Sequence, residues 1–186
     1  LEEGQCFLLD DNRSVGAVFE LQPIGMEGRE PEWLMAARDA LEDALQDSFD
    51  ELDQAPWVVQ FFCQDDSDFA PYLERLERYI APRARGRPFT EAFLASMRRH
   101  LEAVGKPGGL FDDHVVSHLP WRGSNRRIRL VVYRWLGEQA DEDGQSPVQL
   151  LNRTCDRLVA SLQACGVSPR RLTGRDFYAW LLPWFN

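Results

Sequence analysis

Two histidines in the second half of the chain have the residue types of a metal site. Asp112, Asp113 and His114 are consecutive, and His118 follows four positions after the first histidine. Two imidazoles at this spacing share one face of a helix, as in zinc hydrolases. This segment is instead β-branched and ends at Pro120, and in a strand the same spacing separates the two side chains by about 13 Å. A small metallo-hydrolase using His114 and His118 is therefore one alternative function, and histidines on a surface loop are the other interpretation.

Other motifs of catalysis or nucleotide binding are missing from the sequence. It has no G-x-S-x-G nucleophile elbow. A phosphate-binding P-loop needs Gly-Lys followed by Ser or Thr, but the only lysine, Lys106, precedes Pro107. We therefore expect these 186 residues neither to bind nor to hydrolyse ATP.

Nucleic-acid binding is suggested by the arginine-rich stretch from Arg122 to Arg134. Its arginines alternate with aromatic residues, a mixture typical of surfaces that bind single-stranded nucleic acid. The arginines are Arg122, Arg126, Arg127, Arg129 and Arg134, and the aromatic residues are Trp121, Tyr133 and Trp135. Because successive side chains of a strand point to opposite faces, the arginines divide between two surfaces. A nucleic-acid-binding module is kept as an alternative function.

The composition is that of a folded, acidic protein. The 186 residues are 44% hydrophobic, include six tryptophans and carry a net charge of −9. This hydrophobic content excludes general disorder, and the negative charge argues against non-specific binding to phosphates. No apolar run approaches the roughly 20 residues that a membrane-spanning helix needs. The four cysteines, which contain no C-x-x-C pair, are expected to be buried thiols of a reducing cytosol; they are Cys6, Cys63, Cys155 and Cys165.

A β-hairpin is predicted at the start of the chain. Apolar residues alternate with others from Val15 to Gln22, which is the period of a strand. The residues of one face are Val15, Ala17, Phe19 and Leu21. Pro23 ends the strand because proline cannot donate to the ladder. A short apolar run, Cys6–Leu9, precedes a polar turn and forms the other strand.

Two further strands and five helices complete the predicted fold. The apolar run Trp57–Cys63 predicts a strand covered on both faces, and Arg127–Leu136 is the last clear strand. In the latter, Ile128, Leu130 and Val132 share one face. Apolar residues recur at helical spacing over 33–52, 69–80, 89–104, 151–165 and 177–185. At the start of the last helix, Thr173 and Asp176 are three residues apart and resemble a capping box, with Asp in place of Glu. Strands and helices do not alternate regularly, so we expect an α+β fold. It is a mixed, mostly antiparallel sheet with helices packed on it.

The first predicted helix is acidic on the face opposite its apolar stripe. The carboxylates of that face are Glu32, Asp39, Glu42, Asp43, Asp47, Asp50 and Glu51, with Arg38 the only base among them. Such a face is either simply solvated or a docking surface for a basic partner. As docking residues we select Glu32, Asp39, Glu42, Asp43, Asp50 and Glu51.

The end of the chain is a second candidate docking surface. The last predicted helix contains Trp180 and Trp184 among other apolar residues, and chains rarely leave such a cluster on a fraying end. Either this helix packs on the sheet or the native protein continues beyond it, and residue 1 is not Met. We expect residues 1–186 to be one N-terminal accessory domain of a longer protein, with a flexible acidic loop at 137–146.

Three segments resemble a known family. They are RSVGAVFELQPIGMEGREPEW, WVVQFFCQDDSD and RLTGRDFYAWLLPWFN. Together they are similar to the N-terminal region of conjugative transfer ATPases, the TraC-type motor proteins of type IV secretion systems that integrative conjugative elements carry. The resemblance spans essentially the whole chain, but it includes no Walker motif, so no ATP-binding residue is carried over.

The resemblance implies a cytoplasmic accessory domain, peripheral to the bacterial inner membrane. In that family the P-loop motor lies downstream, so ATP and Mg²⁺ are implied only for that part of the parent protein. Such domains are thought to dock the motor on inner-membrane subunits and on other copies of itself. The implied partners are therefore other type IV secretion subunits, including inner-membrane components, and further copies of the parent ATPase. From the residues themselves we expect neither a membrane span nor nucleic acid as a partner of this domain.

Overall fold

Five helices and five strands follow one another in the described part of the chain. The computed structural model describes residues 5–49, 55–108, 114–115, 118–136 and 146–185. The strands are β1 (Phe7–Leu8), β2 (Val15–Gln22), β3 (Trp57–Asp66), β4 (Asn125–Arg134) and β5 (Ser168–Arg171). The helices are α1 (Pro31–Ser48), α2 (Ala70–Tyr79), α3 (Pro88–Gly105), α4 (Pro147–Ala164) and α5 (Gly174–Phe185). The predicted α+β class is confirmed.

Strand β2 is at the centre of the sheet, whose order is β1-β2-β4-β3. It pairs antiparallel with β4 over Gly16–Leu21. On its opposite edge, β1 pairs with the first two residues of β2 and β5 pairs with the last four, both antiparallel. The predicted hairpin is thus confirmed. Strand β5 was not expected, because the sequence Ser-Pro-Arg-Arg suggests a break in the chain.

One face of the sheet carries the larger apolar core. Alternate residues of β2 and β4 point to this face, among them Phe19 and Leu130, and both are fully buried. Helix α4 covers them with its own apolar stripe, which consists of Leu151, Cys155, Leu158 and Leu162. Helix α1 packs beside α4 and adds Leu41 and Leu45 to the core. The predicted faces of β2 and β4 are therefore confirmed.

The opposite face of the sheet is covered by α5. Val18 and Val131 are buried there with Trp180. A reciprocal pair of hydrogen bonds begins the helix: Asp176 N–H donates to Thr173 Oγ1 over 3.2 Å, and Thr173 N–H donates to Asp176 Oδ2 over 3.1 Å. This arrangement is the capping box that the sequence predicts. These hydrogen bonds from Thr173, through its backbone and then its hydroxyl, lower the pKa of Asp176.

Two predicted burials are wrong. Strand β3 is not covered on both faces, because it lies at the end of the sheet order and its middle residues, Gln60 to Cys63, are exposed. Cys63 is accordingly exposed, whereas Cys6 and Cys155 are buried as expected and Cys165 is half-buried. In addition, the predicted apolar stripe of α1 begins too early, since residues 31–36 are all exposed.

The described residues divide into two compact units, one within 1–63 and 127–186 and the other within 64–126. The second unit contains α2 and α3, which are in contact with each other. Gly105, at the end of α3, lies against Ser67 and Phe69 at the start of α2, so the two helices form an antiparallel hairpin. None of the residues of α2 or α3 is buried. The predicted loop at 137–146 lies outside the described residues except for Ser146.

Candidate functional site

Helix α1 presents an uncovered surface at its N-terminal end. Proline at its first position is compatible with a helix start, because the missing N–H needs no partner there. The next residues are exposed although three of them are apolar: Trp33, Leu34 and Met35. The guanidinium of Arg29 lies 4.7 Å from the centre of the Trp33 ring. In α1, only Ala44 and Ser48 are fully buried, so the helix contacts the core mainly through its second half.

The carboxylates of α1 form a stripe, here called the acidic stripe, along the solvent side of the helix. Glu32, Asp39, Glu42, Asp43 and Asp47 are all exposed, at spacings that keep them on one side of the helix. Arg38 lies beside Asp39, with an ion-pair distance of 2.6 Å. In the described ranges no other member of the stripe has an ion pair. Asp50 and Glu51, which the sequence also suggests for docking, lie outside the described residues.

Electrostatic repulsion within the acidic stripe follows from its spacing. Three like-charged pairs are three or four residues apart: Asp39–Glu42, Asp39–Asp43 and Asp43–Asp47. Each such pair destabilises a helix by about 0.2–0.5 kcal/mol. The hydrogen bond from Arg38 to Asp39 raises the pKa of that guanidinium and offsets part of the local charge. A basic partner would relieve the rest.

The two tryptophans of α5 that the sequence suggests for docking have different environments. Trp180 is 8% exposed and belongs to the core of the second sheet face, so its side chain is not part of the surface. Trp184 is 65% exposed, although it is on the same helical stripe as Phe177 and Leu181. The residues of this exposed surface, here called the aromatic end, are Tyr178, Leu182, Trp184 and Phe185.

A row of ring contacts packs α5 against the sheet. Phe7 stacks on Phe177 with centroids 5.1 Å apart, Phe177 lies 6.0 Å from Trp180, and Trp180 meets the edge of Phe62 at 5.3 Å. The guanidinium of Arg129 lies 4.8 Å from the centre of the Trp180 ring. These contacts fix the position of α5, and they explain why its outer residues remain outside the core.

On the sheet face that α5 covers, charged residues are paired across strands. Glu20 of β2 is directly opposite Arg129 of β4 and Arg170 of β5. Arg170 donates to Glu20 over 2.5 Å and lies 3.5 Å from Asp176 of α5. This cluster was not identified from the sequence, since its members come from four separate segments. The one available signal was the position of Glu20 in an otherwise apolar strand.

The arginine-rich stretch does not form one surface. Arg129 is 7% exposed and packs on Trp180. Arg134 is half-buried, and its Nε donates to the Ala55 carbonyl over 3.4 Å. Arg126 forms a two-point contact with Asp65, at 2.9 and 3.3 Å, and its hydrogen bond lowers the pKa of that carboxyl. These three arginines therefore make separate structural contacts within the fold.

The suggested metal ligands lie on the surface. His114 and His118 are both exposed, and His118 has a left-handed backbone conformation with φ of 54°. Within the described ranges, no group of three or more His, Cys, Asp or Glu residues has a geometry that could hold a metal ion. Asp112 and Asp113 lie outside those ranges. No described helix is both long and apolar enough to cross a membrane.

Comparison with known proteins identifies the family. A family model described as TraC protein matches residues 1–186. No curated protein and no solved structure gives a match. The family match includes all three segments that carry the sequence resemblance, and it covers the whole chain. The chain therefore belongs to the TraC family of conjugative transfer proteins, which act in type IV secretion systems.

Proposed function

We propose that this chain is a docking and assembly domain of a conjugative transfer ATPase. It forms protein–protein contacts of the motor at the bacterial inner membrane, from the cytoplasmic side. The observation that supports this proposal is α1, a helix with exposed apolar residues in its first turns and an almost unpaired acidic stripe along its length. Apolar surface surrounded by like charge is typical of an interface with a complementary partner.

The proposed partners are other subunits of the secretion system. They include inner-membrane components, which would present a basic surface to the acidic stripe, and further copies of the parent protein. The aromatic end of α5 is proposed as a second contact, because Trp184 and Phe185 are large, exposed and next to each other. Aromatic residues of this kind are enriched in the centres of interfaces.

Catalysis is proposed to reside outside these 186 residues. The family resemblance implies a P-loop motor downstream, where ATP and Mg²⁺ would bind. The expectation for the present chain is that it neither binds nor hydrolyses ATP. Calorimetric titration with ATP tests this directly, and micromolar binding would contradict it.

The docking proposal is tested by reversing charge in the middle of the acidic stripe. In Glu42→Lys with Asp43→Lys, electrostatic steering toward a basic partner is lost, so the association rate with the cognate inner-membrane subunit should fall about tenfold at low salt. The melting temperature should not fall, because the substitutions replace like-charged neighbours of Asp39 and Asp47 by attractive ones. Association rates measured at low and high salt, together with thermal melting, give both quantities.

A control variant tests whether the position of the reversed charges matters, or only the change in net charge. Asp10→Lys with Asp156→Lys changes the net charge equally, and both residues are exposed in the β1–β2 turn and on α4. This control should bind nearly as fast as the wild type. If the α1 variant also binds at the wild-type rate at both salt concentrations, the acidic stripe is only solvated and the docking proposal for α1 is wrong.

A further inference from the structure

We propose that the tip of the α2–α3 hairpin binds the surface of an anionic membrane. The tip consists of residues 78–90, the end of α2, the connection and the start of α3. This surface is in the second compact unit and uses no residue of α1 or α5. The inference is therefore independent of the protein contacts proposed above.

The charge of the tip is opposite to that of the whole chain. It contains four arginines and no acidic residue, whereas the chain carries a net charge of −9. Two glutamates border it: Glu77 is paired with Arg98 over 3.3 Å, and Glu91 is exposed in the first turn of α3, so the arginines still outnumber the nearby carboxylates. The arginines are Arg78, Arg83, Arg85 and Arg87, and all four are exposed. At physiological ionic strength, dissolved ions screen the field of an exposed charge over a Debye length of about 8 Å. The local arginines, rather than the net charge of the chain, thus determine what the tip attracts.

Three arginines of the tip, Arg78, Arg85 and Arg87, donate to backbone carbonyls and are not neutralised by them. Arg85 donates to the carbonyl of Ile80 over 3.1 Å and to that of Arg78 over 3.4 Å, and Arg87 donates to the carbonyl of Arg83 over 3.4 Å. In the described ranges none of these arginines has an ion pair with a carboxylate. Their acceptors are peptide groups, so the positive charge remains available to an external anion.

Two aromatic rings of the tip are the most exposed large apolar groups of the hairpin. Tyr79, the last residue of α2, is 89% exposed, and Phe89, in the first turn of α3, is 83% exposed. Aromatic rings partition into the interfacial region of a bilayer, where guanidinium groups can form paired hydrogen bonds with lipid phosphates. The rings and the arginines of the tip therefore both favour the interfacial region of an anionic bilayer.

The shape of the tip distinguishes a membrane from a nucleic acid. The connection between two antiparallel helices projects from the hairpin, and Gly86 allows its turn with φ of 69°. Binding of a single strand generally uses a groove in which successive bases stack on aromatic residues. An exposed connection that carries both arginines and two exposed rings fits a flat anionic surface better.

The test measures binding of the purified 186-residue chain to vesicles. Vesicles of phosphatidylcholine alone are compared with vesicles of phosphatidylcholine and phosphatidylglycerol, at low and high salt. Each arginine near an anionic surface contributes about fivefold to partitioning. Arg83→Gln with Arg87→Gln should therefore weaken binding to the anionic vesicles about 25-fold. Tyr79→Ser with Phe89→Ser should weaken it several-fold and leave the salt dependence unchanged.

Two control variants make the outcome decisive. Arg153→Gln with Arg157→Gln removes the same charge from exposed positions of α4 and should bind like the wild type. Arg83→Lys with Arg87→Lys keeps the charge and should retain most of the binding. The proposal is overturned if the wild type does not prefer anionic vesicles, or if the α4 variant loses as much binding as the tip variant. It is also overturned if the tip variant loses affinity for a single-stranded oligonucleotide but not for vesicles.

Discussion

Replacing Trp180 and Trp184 by alanine, one at a time, should separate the packed side of α5 from its exposed side. The two residues are one helical turn apart and have the same chemistry. They differ in burial, since Trp180 is 8% exposed and Trp184 is 65% exposed. The pair therefore isolates the effect of packing.

The expected cost of Trp180→Ala follows from its contacts. The indole ring lies 5.3 Å from Phe62, 6.0 Å from Phe177 and 4.8 Å from the guanidinium of Arg129. Removing a buried tryptophan typically lowers the free energy of unfolding by about 3–5 kcal/mol. This is a large fraction of the roughly 5–15 kcal/mol that stabilises a domain. Trp184→Ala should change it by no more than about 0.5 kcal/mol.

A third variant, Trp180→Phe, tests the polar part of the same side chain. The buried indole Nε1 has no hydrogen-bond partner among the described residues. Leaving a buried donor unsatisfied costs about 1–3 kcal/mol, so phenylalanine removes a penalty as it removes packing. Trp180→Phe should therefore cost much less than Trp180→Ala.

Urea denaturation followed by far-ultraviolet circular dichroism measures these differences, because removing a tryptophan would alter a fluorescence signal. With a urea dependence of about 2 kcal/mol per M, a loss of about 4 kcal/mol lowers the midpoint by about 2 M. Equal midpoints for Trp180→Ala and Trp184→Ala would contradict the different burial of the two side chains, since the helix would then be packed alike at both positions. In the docking assay, Trp184→Ala should weaken binding at unchanged stability.

Three further outcomes concern the stability of the fold. Gly16→Ala should lower the free energy of unfolding by about 1–3 kcal/mol, because a Cβ at this position would overlap the Phe7 ring; in a Phe7→Ala background, chemical denaturation should show a smaller loss. Thr173→Ala removes one half of the capping box and should cost about 1 kcal/mol in the same assay, and an unchanged midpoint would contradict a role for the cap. Burial raises the pKa of the Cys155 thiol to about 11 from an ordinary 9.0, so the folded state keeps a proton that the unfolded state loses. Stability should therefore fall as the pH rises from 9.0 to about 11, by about 2–3 kcal/mol in all, and Cys155→Val should remove this part of the pH dependence.

The parts of the fold that depend on local rules could be predicted from the sequence. The alternation of residues in β2 and β4 determines which side chains share a face, because a strand has a period of two. Thr173 and Asp176 are three residues apart, the spacing at which their hydrogen bonds can begin a helix. Neither prediction required knowledge of distant segments.

Strand β5 could not be predicted, since nothing local favours it. Two arginines and a proline make up most of its four residues, and proline is depleted in strands. The strand forms because the second half of β2 offers an edge that β1 does not occupy. Pro169 pairs opposite Leu21. Its position is a consequence of tertiary structure.

Which apolar surfaces are covered by other elements could not be predicted from local sequence patterns either. The run from Trp57 to Cys63 correctly predicts a strand, but only the sheet order shows that β3 has one neighbour among the described strands. The stripe beginning at Trp33 likewise predicts a helix, but it does not show where α4 ceases to cover that helix. An apolar pattern indicates an element, whereas its burial depends on which other elements reach it.

Arg129 shows the same limit for charge. In the sequence it belongs to an arginine-rich strand that suggests a nucleic-acid surface. Its burial depends on Trp180, which is about fifty residues later in the chain and packs over it. A buried guanidinium on an aromatic ring stabilises the fold and is not available to a ligand. Whether each of the other arginines in this stretch is available to a ligand therefore depends on its own contacts.

The acidic stripe and the arginine tip, both within the described residues, have opposite signs and lie in different compact units. The acidic stripe belongs to the first unit and the arginine tip to the second. Raising the salt concentration screens both, so a salt series alone would show weaker binding whether the partner is a basic protein or an anionic membrane. The substitutions described above each alter one cluster and leave the other intact. A salt dependence that disappears with the α1 variant identifies the protein contact, and one that disappears with the tip variant identifies the membrane.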